Sequence, residues 1–223
     1  CRRIGDEIRA AGLQVSSLAT TLFWRIHYTS SNPAVREAAR ELTIACMDRA
    51  RWPGADVLLV VPGLVRHDAN PRQLLCGYAD ALMLTRMALG MLEPEAERRG
   101  IVLALENAWN SFLLSPVELR DLLDRINSPW VGAYLDIGNV LKFGMPQDWI
   151  DILGRRIARV HVKDYQVAVG TKQGFVLPGD GDADWPAIMA ALRQTGYDGP
   201  LVFEGRGDLA DISVRMDRIL ANL

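Results

Sequence analysis

IVLALE at Ile101–Glu106 decides how this chain folds: five apolar residues in a row, then one carboxylate. A short apolar run bounded by turn or helix signals reads as a strand buried on both faces, as in parallel sheets. Working outward, the same design recurs three times. VGAYLD at Val131–Asp136 ends in an aspartate, the run around Val160 ends at His161, and LVFE at Leu201–Glu204 ends in a glutamate. In parallel α/β folds the carboxyl ends of the strands gather on one face, where ligands bind. Glu106, Asp136, His161 and Glu204 meeting there make a hard, mostly oxygen set of metal ligands.

The elements between these runs alternate in type. CRRIGDEIRAAG at Cys1–Gly12 has amphipathic helical spacing and a glycine stop. Because it opens on Cys1 rather than Met, N-terminal sequence is expected to be missing. Leu13–Thr20 reads as a strand diluted by serines, and a helix follows from about Asn32 to Trp52 with Pro33 at its first position. Asp56–Val61 is a strand ended by Pro62-Gly63, and Pro71 opens a long helix to about Arg99, closed by Gly100. Ser115 and Pro116 start a helix over 116–126, a short helix covers about Gln147–Gly154, and a strand spans 157–163. A loop over 164–183 leads to Asp184, the N-cap of a helix that begins Trp185-Pro186 and ends near Gly196. The last strand is 200–204 and the final helix Leu209–Leu220. Six β-units in strict alternation imply a parallel sheet with helices outside, in one domain over residues 1–223.

Bulk properties exclude several classes. A net charge of −2 gives no general attraction to nucleic acid or to an anionic membrane. No apolar stretch reaches the roughly 18–20 residues of a membrane span, and no signal peptide is visible. Cys1, Cys46 and Cys76 are scattered without CxxC spacing, so neither a disulfide framework nor a thiolate metal site is indicated, and a cytoplasmic setting is the simplest reading.

Strand-end chemistry selects a (β/α)8 TIM barrel over an open doubly wound sheet. An open sheet gathers its functional residues at one switch point, whereas here four consecutive strands each offer a ligand, as when strands curve about a common axis. With six strands read, the barrel lacks its first two in this chain. No GxGxxG or GxxxxGK[ST] supports nucleotide binding. PGDGD at Pro178–Asp182 reads as a plain turn, with an anion cradle as the alternative.

Each candidate has a bland alternative. A lone strand-end glutamate is commonly a surface residue, Asp136 would serve an Asx turn into Ile137-Gly138-Asn139, and His161 would be a satisfied core histidine. Their joint placement favours the metal reading. Lys163 either holds a substrate hydroxyl or phosphate or pairs with Asp164. Asn107 and Asn139 adjoin ligands as hydrogen-bonding supports or as turn residues. Trp109 and Trp24 offer aromatic faces for a sugar or core packing, and Arg206 an acidic-group contact or a solvated charge. His27 and His67 receive no ligand role.

From about Leu103 to Arg206 the chain resembles the sugar-phosphate isomerase/epimerase superfamily, the xylose-isomerase-like barrels. It is most similar to ketose 3-epimerases of the tagatose 3-epimerase and ribulose/hexulose-phosphate 3-epimerase kind. The motifs are LALEN (Leu103–Asn107), YLDIGN (Tyr134–Asn139), RVHVKD (Arg159–Asp164), GDGDADWPAIMAALRQTGYDGP (Gly179–Pro200) and LVFE (Leu201–Glu204). The resemblance implies that Glu106, Asp136, His161 and Glu204 hold one divalent cation: manganese, magnesium or cobalt, with zinc as a further option. It implies isomerisation or epimerisation of a ketose or sugar phosphate through a metal-stabilised enediolate, Glu106 and Glu204 shuttling the proton. From their positions beside the ligands, Lys163, Asn139, Asn107, Trp109 and Arg206 are the expected substrate contacts, and the resemblance implies a homodimer or homotetramer.

The sequence departs from the tagatose-type pattern in its substrate contacts. Asn139 stands where those enzymes carry a histidine, Phe112 replaces an acidic residue, and Gln166-Val167 occupy the place of an arginine. The alternatives are an inosose-dehydratase-type lyase on the same site and a non-catalytic sugar-binding barrel. A DNA-repair endonuclease of this scaffold needs three zinc ions and more than the three histidines present.

Overall fold

The computed structural model describes residues 2–67 and 70–221. They fall into two compact units: one runs to Phe112 and includes Asp121–Gly132, the other comprises Leu113–Arg120 and everything from Ala133 onward.

In the first unit α1 (Arg2–Ala10) stops before Gly12, whose φ of +71° is a conformation glycine adopts at no cost. Helix α2 (Pro33–Arg51) begins where Asn32 caps the Ala34 N–H at 2.9 Å, with proline in the first turn, where its missing N–H is harmless. Strand β1 (Val57–Val60) is buried throughout, as an apolar run covered on both faces requires. A hairpin of β2 (Arg66–His67) and β3 (Asn70–Leu74) precedes α3 (Tyr78–Arg99). Gly100 closes α3 in the left-handed conformation, its N–H on the carbonyls of Ala96 and Glu97. Ala81, Thr85, Ala88, Leu89, Leu92 and Ala96 form the buried face of α3, and Arg99 reaches Asp48 of α2 at 2.7 Å. Strand β4 (Val102–Glu106) runs parallel to β1, Val57 opposite Val102 and Val60 opposite Leu105.

Helix α4 (Pro116–Ile126) opens on a capping box: the Glu118 N–H donates to Ser115 Oγ while the Glu118 carboxylate accepts from the Ser115 N–H at 3.1 Å. Strand β5 (Val131–Asp136) passes directly into a single helical turn, α5 (Ile137–Val140), followed by α6 (Pro146–Leu153) and β6 (Ile157–Val162). A second hairpin, β7 (Asp164–Tyr165) against β8 (Phe175–Val176), leads to α7 (Trp185–Gln194), β9 (Leu201–Phe203) and α8 (Leu209–Leu220). The β7–β8 hairpin closes at its base through Gln166 N–H to the Gly174 carbonyl at 2.8 Å. In hydrogen-bonded order the main sheet is β1-β4-β5-β6-β9. In the second unit α6 packs on α7 and α7 on α8, and Trp149, Ile150, Leu153, Ile188, Leu192 and Ile212 of these helices are buried.

Three expectations are corrected. Leu13–Thr20 pairs with β1 only at Leu18, whose N–H and carbonyl meet Val57 and Leu59 at 2.9 Å, so five strands rather than six form the sheet. The flanking Ser16 and Ser17 are polar and half-exposed, giving the segment too little apolar surface to extend the ladder. Pro71 does not open a helix: Asn70–Leu74 lies extended against Arg66 and His67, and the helix waits for Tyr78 after Gly77. A residue before proline favours extended backbone, and an antiparallel partner lies within reach to use it. The loop expected over 164–183 contains the β7–β8 hairpin, whose two-residue strands are too short for periodicity to reveal. Cys46 and Cys76 are free, and Cys1 lies outside the described residues. Among the described residues no helix is long and apolar enough to cross a membrane.

Candidate metal centre

Strand register assembles the centre. β5 and β6 run side by side with Asp136 directly opposite His161, and β6 pairs with β9 so that Val162 faces Phe203. The Glu204 N–H then donates to the Val162 carbonyl at 3.2 Å, which carries Glu204 to the level of Lys163. Parallel strands deliver successive carboxyl ends to one rim, so residues far apart in sequence become neighbours.

Asp136 is fully buried and each of its oxygens has work. Oδ1 accepts the Asn139 N–H at 2.8 Å and so caps α5, while Oδ2 lies 3.3 Å from Lys163 Nζ and 3.6 Å from His161 Nδ1. Burial pushes its carboxyl pKa up, but Lys163, His161 and the Asn139 N–H together outweigh burial and hold it below the ordinary aspartate value. The His161 ring packs on Tyr134 at a centroid distance of 4.3 Å, and its Nδ1 is 3.8 Å from Glu204 Oε2. Lys163 Nζ donates to Glu204 Oε2 at 2.6 Å and sits 4.3 Å from the centre of the Phe175 ring. That cation–π contact comes from the β7–β8 hairpin. Gly138 leaves room for this lysine, since a Cβ there would lie 2.8 Å from Lys163 Cγ.

Glu106, at the end of β4, is buried. Within the second unit one ligand atom from each of Asp136, His161 and Glu204 falls within 4.8 Å of the others, so this carboxylate and imidazole group could hold a metal ion. Three carboxylates and one imidazole suit a hard or borderline divalent cation rather than a soft one.

Of the expected substrate contacts, Lys163 lies against Asp136 and Glu204 and does not pair with Asp164. Asn107, Trp109 and Asn139 are buried, and Arg206 is exposed. Trp24 meets His67 edge-on at 5.6 Å. His27 is buried rather than in open polar surroundings, with Nδ1 2.9 Å from Thr29 Oγ1, and burial lowers its pKa. Phe112 is core, packed edge-on against Tyr78.

Asp164 escaped the sequence reading. Its buried carboxylate accepts from the N–H groups of Tyr165 at 2.8 Å, Gly179 at 2.8 Å and Ala183 at 3.1 Å, and from the Trp185 indole at 3.0 Å. PGDGD contributes one of these donors, the Gly179 N–H. A Cβ on Gly181 would lie 2.2 Å from Asp164 Oδ1, so only glycine permits the approach. Phe175 also went unread, because nothing in its neighbourhood of sequence announces a seat for Lys163.

Residues 1–218 match the model of the xylose isomerase-like TIM barrel family. SgbU of Escherichia coli K12, provisionally named as an L-ribulose-5-phosphate 3-epimerase, is 28% identical over 200 residues, covering 86% of this chain and 66% of its own length. The L-ribulose-5-phosphate 3-epimerase UlaE of Salmonella paratyphi C is 25% identical over 206 residues, covering 92% of this chain and 69% of its own. The chain thus spans about two thirds of the length of the curated relatives it matches. Among solved structures, a D-tagatose 3-epimerase-like protein superposes with a TM-score of 0.83 at 20% identity, over 99% of this chain and 81% of its own. A D-psicose 3-epimerase does so with 0.81 at 16%, with the same coverage. At these identities the structural likeness speaks for the fold.

Proposed function

The chain belongs to the xylose isomerase-like TIM barrel family, and from that premise we propose that it epimerises or isomerises a ketose or sugar phosphate with one divalent metal ion. The observation that carries this reading is the convergence of Asp136, His161 and Glu204 within 4.8 Å in the second unit, to which we add Glu106, at the end of β4, as the fourth ligand. Supporting it, curated relatives carry names of ribulose-phosphate 3-epimerases.

In this reading Glu106, Asp136, His161 and Glu204 would hold manganese, magnesium or cobalt, which would supply Lewis acidity that makes the carbon-bound proton beside a ketose carbonyl easier to remove. Asp136 and His161 are structural ligands: one is locked by the α5 cap, the other braced on Tyr134. Glu106 and Glu204 come from strands that are not neighbours in the sheet, and each is assigned one face of the reacting carbon. One carboxylate takes the proton and the other returns one from the opposite side, which inverts the centre. Lys163, poised over Phe175, is assigned to a substrate oxygen, and Asn107, Asn139, Trp109 and Arg206 to further sugar contacts.

Isothermal titration of the intact protein with manganese, magnesium and cobalt comes first, and a flat isotherm for all three refutes the reading. The loaded protein is then incubated in deuterated water with ketoses, ketose phosphates and inososes. Deuterium at one carbon with an unchanged heavy-atom formula is the expected result, abolished by Glu204→Gln. Loss of water from an inosose instead assigns a dehydratase.

A further inference from the structure

In the first unit, His27 has one ring nitrogen held and the other open. The residue is 9% exposed, in a segment whose Phe23, Tyr28 and Thr29 are buried. Its Nδ1 lies 2.9 Å from Thr29 Oγ1. That hydroxyl also donates to the Leu64 carbonyl at 3.0 Å and accepts the Leu64 N–H at 2.8 Å. A hydroxyl has one proton and two lone pairs. With its proton on Leu64, Thr29 can only accept from His27, so Nδ1 carries the ring hydrogen. Gly63 keeps Thr29 in this seat, since a Cβ there would lie 2.3 Å from Thr29 Cγ2. Burial lowers the pKa of His27, so the ring is neutral at pH 7. A neutral imidazole protonated on Nδ1 presents a bare lone pair on Nε2. Among the described residues Thr29 is the one hydrogen-bond partner of His27, and Nε2 is not sealed in the interior.

Chain direction fixes the end of the sheet at which this lone pair lies. Leu18 pairs parallel to Leu58 of β1, and β1 runs parallel to β4. The chain after Leu18 therefore emerges at the same end as Leu64, which follows β1, and Glu106, which closes β4. The bonds between Thr29 and Leu64 hold His27 there. Ligands bind at this end of parallel strands. Half-buried Trp24, the last residue of the short turn Thr21–Trp24, stands three residues before His27. A bare lone pair receives a hydroxyl proton and repels the oxygens of a phosphate, which have no proton to give.

We propose that His27 is a substrate contact whose Nε2 accepts a hydrogen bond from a hydroxyl of the sugar, at a place that refuses a phosphate. The proposal rests on the ketose reading and deepens it, because it puts an unphosphorylated part of the substrate beside the end of β1. Nitrogen NMR of protein labelled with 15N-histidine is expected to show His27 protonated on Nδ1 and bare on Nε2 at pH 7. A ring protonated on Nε2, or on both nitrogens, overturns the proposal whatever the protein catalyses. The magnesium-loaded protein is then titrated with the free ketopentoses and ketohexoses of both enantiomeric series. The sugar that binds is expected to shift the Nε2 signal of His27. Binding that leaves this signal unmoved overturns the contact alone, whereas no binding by any ketose refutes the ketose reading and the contact with it. His27→Leu is expected to weaken sugar binding roughly fivefold. His27→Gln, whose amide oxygen replaces the lone pair, restores most of that loss. Among singly deoxygenated analogues of the sugar, one is expected to bind worse than its parent to the wild type and equally well to His27→Leu. An affinity unchanged in His27→Leu overturns the contact, as does an equal loss from every analogue in both proteins. Circular dichroism and magnesium affinity of each variant report the fold separately.

Discussion

Two fully buried aspartates lie at neighbouring strand ends, and their surroundings could hardly differ more. Asp136 shares its oxygens with Lys163, His161 and one backbone N–H. Asp164 spends both of its oxygens on three backbone N–H groups and an indole. Burying a carboxylate is costly, and either arrangement compensates the charge. The compensation differs in kind. Backbone dipoles are fixed by the chain and cannot leave, so Asp164 is bound permanently. An ammonium and an imidazole on side chains can move aside, so the oxygens of Asp136 can be transferred to an incoming cation. Burial alone therefore does not distinguish structural from functional carboxylates; the mobility of the partners does.

The sharpest way to break this contrast is Asp164→Ala. It strands four donors and is expected to cost about 4 kcal/mol in denaturant unfolding. Asp136→Asn is expected to weaken divalent-ion binding at least 100-fold, about 2.7 kcal/mol by titration, while the metal-free protein loses far less stability than with Asp164→Ala. Equal destabilisation by the two would erase the distinction. Trp185→Phe, which removes one donor from Asp164, is expected to cost about 1.5 kcal/mol in unfolding and to leave ion affinity unchanged. Lys163→Met should move two readouts in opposite directions. The ion binds about tenfold tighter, about 1.4 kcal/mol, because a competing cation is gone, whereas the metal-free protein melts earlier by about 1 kcal/mol. Weaker ion binding in Lys163→Met would show that the lysine supports the site rather than competing for it.

Elements carrying their own punctuation were legible to within a residue or two. Strand β5 and helices α4 and α8 have the expected bounds, and Asp184 caps α7 at the Ala187 N–H. Caps and buried apolar runs are local, so sequence displays them. The four candidate metal residues could be picked out for the same reason, each standing within a residue of a strand's end. The two hairpins were not, since strands of two residues have no period and the Pro71 signal fits either structure. Nor was the Lys163 pairing: the neighbour in sequence, Asp164, was already committed to a loop fifteen residues on. Contacts set by tertiary approach, such as Phe175 beneath an ammonium, have no local signature at all.

The β7–β8 hairpin carries a consequence for how this scaffold tolerates change. Its base is pinned by Gln166 to Gly174, and by the pairing of Tyr165 with Phe175, whereas the span 167–173 is exposed. Lengthening a loop whose ends stay fixed costs only about 0.6 kcal/mol per doubling. Beyond Val167, whose N–H donates to Asp182 at 2.7 Å, this span is thus a permissive insertion site, the natural place to graft a recognition loop or an affinity tag.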